Sequence, residues 1–313
     1  TVMASKKEKK ANKKYNTQVA FNKPWEGYLY LLPFAIGLII FTIYPIVNVV
    51  FMSFQEGYKL NGAFDGWGLG NYTRIFKDHY FLSAFGNTFK SVFVFVPVAT
   101  IISILVANLL NQKIKGIAFF QTAFFLPMVT SAIAVGLVWK YMFNNEIGVI
   151  NYLLKAIGLQ PINWLGAVAG DARYNLWAVC IFGIWNMIPF TTILLLSGLQ
   201  NIDPLYYTAA KVDGASTSKM FFRITLPLLS PTIFLTMIVN MISAFKVYND
   251  IIPFWNGSAG VTGTNLYTFV YYIKEQFSVY GRYGVAAAAS LVLFGIIFVF
   301  TMIQRFVQSK FKY

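Results

Sequence analysis

One cysteine and one histidine in 313 residues remove several chemistries at once. Cys180 has no partner for an intrachain disulfide and no second thiol for a CxxC metal site; inside an apolar run it reads as a small buried hydrophobe. His79 has no histidine or cysteine nearby and reads as a surface residue in an outer connection, not a ligand or catalyst. Charge is scarce too, at 12% of residues against about 25% in a soluble domain, so the chain cannot face water throughout. The phosphate-binding pattern G-x-x-x-x-G-K-[ST] is missing, and with it any reason to expect ATP hydrolysis by this chain. Period-two alternation is absent from the apolar runs, which excludes a transmembrane barrel.

What is abundant is apolar surface: 57% of residues are hydrophobic and 18% aromatic. A helix needs about 20 apolar residues to cross a bilayer. Six segments qualify: Tyr28–Phe54, Ser91–Leu110, Ile117–Phe143, Leu176–Leu199, Pro231–Trp255 and Gly284–Phe306. Prolines 33, 45, 97, 127 and 189 fall inside them, as membrane bundles tolerate. The first run is too long for a cleaved signal and is expected to remain as an anchor. The fold class expected is an all-α membrane protein of six transmembrane helices, with a cytoplasmic basic tail at residues 1–24 and a transmembrane domain at 25–313.

The net charge of +14 is concentrated in that tail, at Lys6, Lys7, Lys9, Lys10, Lys13, Lys14 and Lys23. Lysines beside a span are held by anionic headgroups on the cytoplasmic side. No base-stacking module follows, so nucleic acid is not an expected partner. Lys113 and Lys115 in the second connection have no acidic companion, and the C-terminal tail carries Arg305, Lys310 and Lys312. The other connections mix signs: Lys59, Arg74 and Lys77 with Glu56, Asp65 and Asp78, then Lys155 and Arg173 with Glu146 and Asp171. Both termini are therefore expected in the cytoplasm, and with them the polar segment Tyr206–Pro231.

That segment has a local logic. Asp203-Pro204 looks like an N-cap followed by proline at the first helical position. Leu205 to Val212 would form a short helix, Gly214 would turn the chain, and Ser216 or Thr217 would cap a second helix ending before Pro227. Two turns of helix are unstable alone in water, so the first helix needs something to pack against. A plain solvated linker has no reason to place Ala209-Ala210, Gly214 and Ile224-x-Leu226-Pro227 at these intervals.

The same spacing resembles the EAA loop of ABC importer permeases, where a cytoplasmic ATPase docks. The chain as a whole is similar to permease subunits of binding-protein-dependent carbohydrate importers, the branch with the maltose and glycerol-3-phosphate systems. Gly70-Asn71-Tyr72, Asn87-Thr88, Gly148 to Asn151, Asn163-Trp164-Leu165, Trp185 with Pro189, Leu199-Gln200-Asn201-Ile202 and Phe245 to Asp250 match at lower specificity. The resemblance implies a type I importer fold with the coupling loop between the fourth and fifth spans. It implies ATPase docking through Tyr207, Thr208, Ala209, Ala210, Asp213, Gly214 and Ala215. Thr208 departs from the pattern, standing where an acidic residue usually pairs with the ATPase. The implied partners are a second permease of different sequence, two copies of a cytoplasmic ATPase holding ATP and Mg, an extracytoplasmic solute-binding protein and a carbohydrate. The chain itself would bind no cofactor and no metal, and would lie in a bacterial or archaeal cytoplasmic membrane.

Lys246 and Asp250, four apart, are expected on one face of the fifth span. Ionisable groups there either pair or snorkel, or face a wet cavity. In the second case Asn240, Ser243, Lys246 and Asn249 would offer hydrogen bonds to a hydroxylated solute. Trp185, Asn186 and Phe190 would add an aromatic wall on the fourth span, and in maltose-type permeases the corresponding helices carry the sugar contacts. Two other classes compete. An ion-coupled secondary transporter acting alone would show inverted repeats and several buried acids, and only Asp250 lies deep. An intramembrane enzyme would need H-E-x-x-H, a Ser–His pair or paired aspartates, none of which occurs within the spans.

Overall fold

The structure is a computed structural model that describes residues 24–112, 115–166, 174–254 and 266–310. The basic tail, Lys113, Asp171, Arg173, Trp255 and Lys312 lie outside those residues. The chain divides into two compact units, Thr1–Phe51 and Met52–Tyr313.

α1 (Pro24–Leu38) passes through a π-helical turn, Ile39–Ile43, into α2 (Tyr44–Phe54), and the first unit takes in this run as far as Phe51. The turn has a visible cause. The amide of Tyr44 reaches back five residues to Ile39 O, and Pro45 follows with no amide to give. A widened turn lets the helix pass a proline without leaving the chain.

The second unit opens with a short ladder, β1 (Gln55–Glu56) against β2 (Gly66–Trp67), antiparallel with Gln55 opposite Trp67. It is the one described departure from an all-helical chain. Next come α3 (Gly70–Lys77), α4 (His79–Leu110), α5 (Ile117–Val129), α6 (Ala132–Met142), α7 (Val149–Ala156), α8 (Asn175–Gln200), α9 (Pro204–Val212), α10 (Thr217–Met220), α11 (Leu226–Phe245), α12 (Phe269–Ser278) and α13 (Tyr283–Lys310). Five helical runs are long and apolar enough to cross a membrane, and α5 with α6 passes only as a pair.

That pair differs from the single third span expected. It is bent by 98° at Thr130 and Ser131, whose backbones are extended (ψ 155° and 123°). Thr130 closes the helix end on Pro127 O, to which its amide donates at 3.3 Å and its Oγ1 at 2.6 Å. The second span is longer than expected, starting at His79, because Asp78 caps it by accepting from Tyr80 N at 2.9 Å. The fifth span also shifts. It runs unbroken from Thr217 to Phe245, so the helix does not end before Pro227. A second π turn, Phe221–Thr225, lies just ahead of that proline, with Leu226 N bonded to Phe221 O.

α4 and α8 pack side by side and α11 lies on both. The glycines allow the approach: a Cβ on Gly198 would stand 2.6 Å from Thr232 Oγ1, and one on Gly183 2.4 Å from the Phe95 ring. Buried asparagines tie the connections to the helices. Asn87 Nδ2 donates to Tyr267 O at 3.2 Å, and Phe269 N to Thr88 Oγ1 at 2.9 Å. Asn151 bonds Ile162 in both directions and accepts from Trp164 Nε1 at 3.0 Å. These motif residues do structural work.

Candidate functional site

Two regions gather the expected residues. At one end of the unit, α9 stands as a nine-residue helix. Asp203 accepts from Leu205 N at 2.8 Å, Pro204 occupies the first turn, and Gly214 closes the far end at φ +71°. A left-handed residue without a Cβ is the usual way to leave a helix. Ser216 then caps the next helix through Lys219 N at 3.3 Å.

The two faces of α9 differ. Ala210 is buried against its own chain, and so does not offer itself to a partner as a flanking surface. Tyr207 OH shares a 3.0 Å hydrogen bond with Thr225 Oγ1, fastening α9 to the π turn. On the other side Leu205 and Val212 are 71% and 85% exposed, with exposed Ala209 between them. Positions 205, 209 and 212 share one helical face, so an apolar stripe is left open. Thr208 is exposed and donates back to Pro204 O at 3.1 Å. Its hydroxyl is used inside its own helix. Asp213, Gly214 and exposed parts of the turn follow directly, with Ala215 half-buried and bonded to Ala210 O.

The second region is a cavity of about 230 Å³ between α4, α8 and the end of α11. Of the residues expected to meet a solute, it collects Asn186, Phe190, Asn240 and Ser243. Asn240 is buried, and its Nδ2 donates to Thr191 Oγ1 at 2.9 Å, whose proton goes to Met187 O at 2.9 Å. It therefore holds the wall as well as lining it. Trp185 turns away, its ring 5.5 Å from Trp139, and is part of an aromatic core. Lys246 and Asn249 are exposed and do not line the cavity. The reason is the helix end: Lys246 is the C-cap residue, its amide bonded back to Ser243 O. Lys246 and Asp250 thus do not share a helical face.

Asp250 lines the cavity and accepts from Asn186 Nδ2 at 3.3 Å. Burial pushes its carboxyl above the usual range, and the Asn186 hydrogen bond partly opposes that. Gly183, Met187, Phe95 and Val247 complete the lining and were not expected there. Gly183, Asn186, Met187 and Phe190 do recur at three-to-four-residue spacing, which a helical-face reading of the fourth span would reveal. A larger cavity, about 550 Å³, lies between the N-terminal parts of α4 and α8 beside Lys90 and Trp177; nothing in the motif pattern pointed there.

The sequence model of the family described as "Binding-protein-dependent transport system inner membrane component" matches residues 81–313. The chain belongs to that family. It is 31% identical over 295 residues to the arabinooligosaccharides transport system permease protein AraP of Bacillus subtilis, covering 93% of this chain and 91% of that one. The trehalose/maltose transport system permease protein MalF of Thermococcus litoralis is 32% identical, over 88% of this chain and 91% of its own. Among solved structures, a bacterial alginate ABC transporter in complex with an alginate pentasaccharide-bound periplasmic protein superposes with a TM-score of 0.75 at 25% identity. That match covers 90% of this chain and 92% of the other. This permease is thus a multi-pass membrane subunit of a binding-protein-dependent ABC importer, with the type I importer fold.

Proposed function

We propose that this permease carries a sugar or oligosaccharide inward as one wall of a pathway completed by a second, different permease. Relatives named for arabinooligosaccharides and for trehalose and maltose support the solute class. The cavity supports the need for a second wall: at about 230 Å³ it is smaller than the roughly 300–1,000 Å³ of a complete small-molecule site. Asn186, Ser243 and Asp250 would supply hydrogen bonds to hydroxyls and Phe190 a ring for a sugar C–H face, while Lys246 and Asn249 would meet solute only at the entrance. Trp185 acts behind the wall.

The observation that carries the reading is the connection between the two regions. α9 presents its stripe of Leu205, Ala209 and Val212 outward, and Tyr207 fastens it to Thr225 on the helical run that reaches Asn240 and Ser243. Fifteen helical residues separate Thr225 from Asn240, about 22 Å. A cytoplasmic ATPase gripping the stripe would move the cavity wall as a rigid body, favouring outward or inward access by its differential contact with each state. Two ATPase copies, holding ATP and Mg, would serve the two permeases. In this reading the chain has no cofactor and no catalytic step, and both its termini lie in the cytoplasm.

The test is ATP-dependent uptake in proteoliposomes containing the co-purified complex. Gly214→Pro is expected to abolish uptake and ATPase retention while the chain still inserts. Uptake by this chain alone, driven by an ion gradient, would overturn the proposal.

A further inference from the structure

Away from both regions, the outer rim of the second unit holds a cavity of about 200 Å³ lined by Lys59, Arg74 and Arg282. The three cations come from separate stretches of chain: the loop after β1, α3, and the residue before α13. Tyr58 and Tyr283 meet edge-on across it at 6.4 Å, and Arg282 lies over the Tyr280 ring at 5.1 Å.

Two carboxylates of the same rim are engaged by hydrogen bonds. Glu56 accepts from Gly70 N at 2.7 Å. Asp78 accepts from Tyr80 N and from Tyr272 OH, both at 2.9 Å. A third, Asp65, lies against Gly57 at the edge of the wall, where a Cβ would collide with its carboxylate. None of the three lines the cavity, and among the described residues no ion pair answers its cations. Three positive groups around one hollow call for a negative occupant.

The height of the rim decides which kind. α4 has 32 residues and is about 48 Å long, against a hydrocarbon layer of about 30 Å. With Leu110 at the inner boundary, the end at Asp78 stands about 18 Å past the outer one, beyond a headgroup layer of about 5–8 Å. Trp67 and Tyr280 are 60% and 50% exposed beside the cavity. Arginine with exposed Trp and Tyr is the composition of protein contact surfaces.

We infer that the cavity between Lys59, Arg74 and Arg282 is the seat for a carboxylate side chain on the docking face of the solute-binding protein. The inference rests on the importer reading above, including the outward orientation of this rim. The seat fixes where the binding protein lands and makes landing salt-dependent, because cations on an exposed rim act largely through encounter.

The test uses the whole complex in nanodiscs with the purified solute-binding protein of the same system, reading its half-saturating concentration for stimulated ATP hydrolysis. The double reversal Arg74→Glu with Arg282→Glu is expected to raise that concentration at least tenfold and to flatten its dependence on NaCl. The double Arg→Lys variant keeps the charge and is expected to stay within about threefold of wild type, which separates charge from misfolding. An unchanged half-saturation in an intact reversal complex overturns the inference. So does an effect that follows the phosphatidylglycerol content of the disc, which assigns the cavity to a lipid headgroup. A wild-type complex that the binding protein fails to stimulate sinks the importer reading and this inference with it, and is told apart because the wild type itself fails.

Discussion

Tyr207 and Thr225 are joined by a 3.0 Å hydrogen bond between their hydroxyl groups, a side-chain link from the short helix α9 to the long helical run beside it. A half-buried hydrogen bond contributes about 1 kcal/mol net. Tyr207→Phe is expected to cut ATP-dependent uptake about fivefold while ATP hydrolysis falls less. Equal losses in both would show that the hydroxyl serves assembly instead of transmission.

Gly214 sits at φ +71° with nothing within 4 Å of where a Cβ would be. Space is free, so Gly214→Ala suffers only the left-handed backbone, about 1–2 kcal/mol. Weakened but measurable retention of the ATPase is expected on affinity purification. Complete loss would mean that a partner's atoms approach this glycine closely.

Gly183 touches the ring of Phe95 and both line the cavity. Gly183→Val would fill the hollow and push the ring, at a strain of about 1–3 kcal/mol. The expected result is severalfold slower uptake with the ATPase still bound. Wild-type uptake in an assembled Val variant would remove this cavity from the solute path.

Asp250 gives a pH test. Burial raises its pKa and the Asn186 hydrogen bond lowers it by a smaller amount. The folded state therefore favours the neutral acid. Its contribution to stability is full below the unfolded value of about 3.9 and fades as pH rises through the folded value. The unfolding midpoint of the detergent-solubilised complex should carry this downward slope, and Asp250→Asn should remove it. Asn186→Leu should move the slope to higher pH. A slope unaltered in Asp250→Asn would assign it to another group.

Gly198 packs against Thr232 and Leu229, where a Cβ would stand at 2.6 and 2.8 Å. Gly198→Ala is expected to lower the thermal midpoint, at a cost of about 1–3 kcal/mol. An unchanged midpoint would show that the two helices separate easily there.

The number and order of the apolar runs were legible because length and hydropathy alone decide membrane crossing. So were the cap at Asp203, the turn at Gly214 and the cap at Ser216, which depend on neighbours in sequence. The 98° break was not, although Thr130-Ser131 after Pro127 is a polar interruption in an apolar run: whether such a pair bends a helix depends on what packs beside it. The end of the fifth span at Phe245 was misplaced for a related reason. Hydropathy continues through Val247 and Tyr248, while the backbone leaves the helix at Lys246. Trp185 lies away from the cavity described above because a ring on a helix can serve core or cavity, and Trp139 packs against it. The inside face of Ala210 was hidden likewise, since two adjacent alanines point in different directions.

The π turn at Phe221–Thr225 also acts as an index mark. It holds one residue more than a regular turn, a residue that in a regular helix would advance everything above it by about 100° around the axis. Asn240 and Ser243 therefore look toward the hollow because the wide turn takes that surplus up. Winding the same residues as plain α-helix would swing the polar flank round toward the wrong neighbours, whereas deleting one residue between 221 and 225 would tighten the turn and leave that flank facing the hollow.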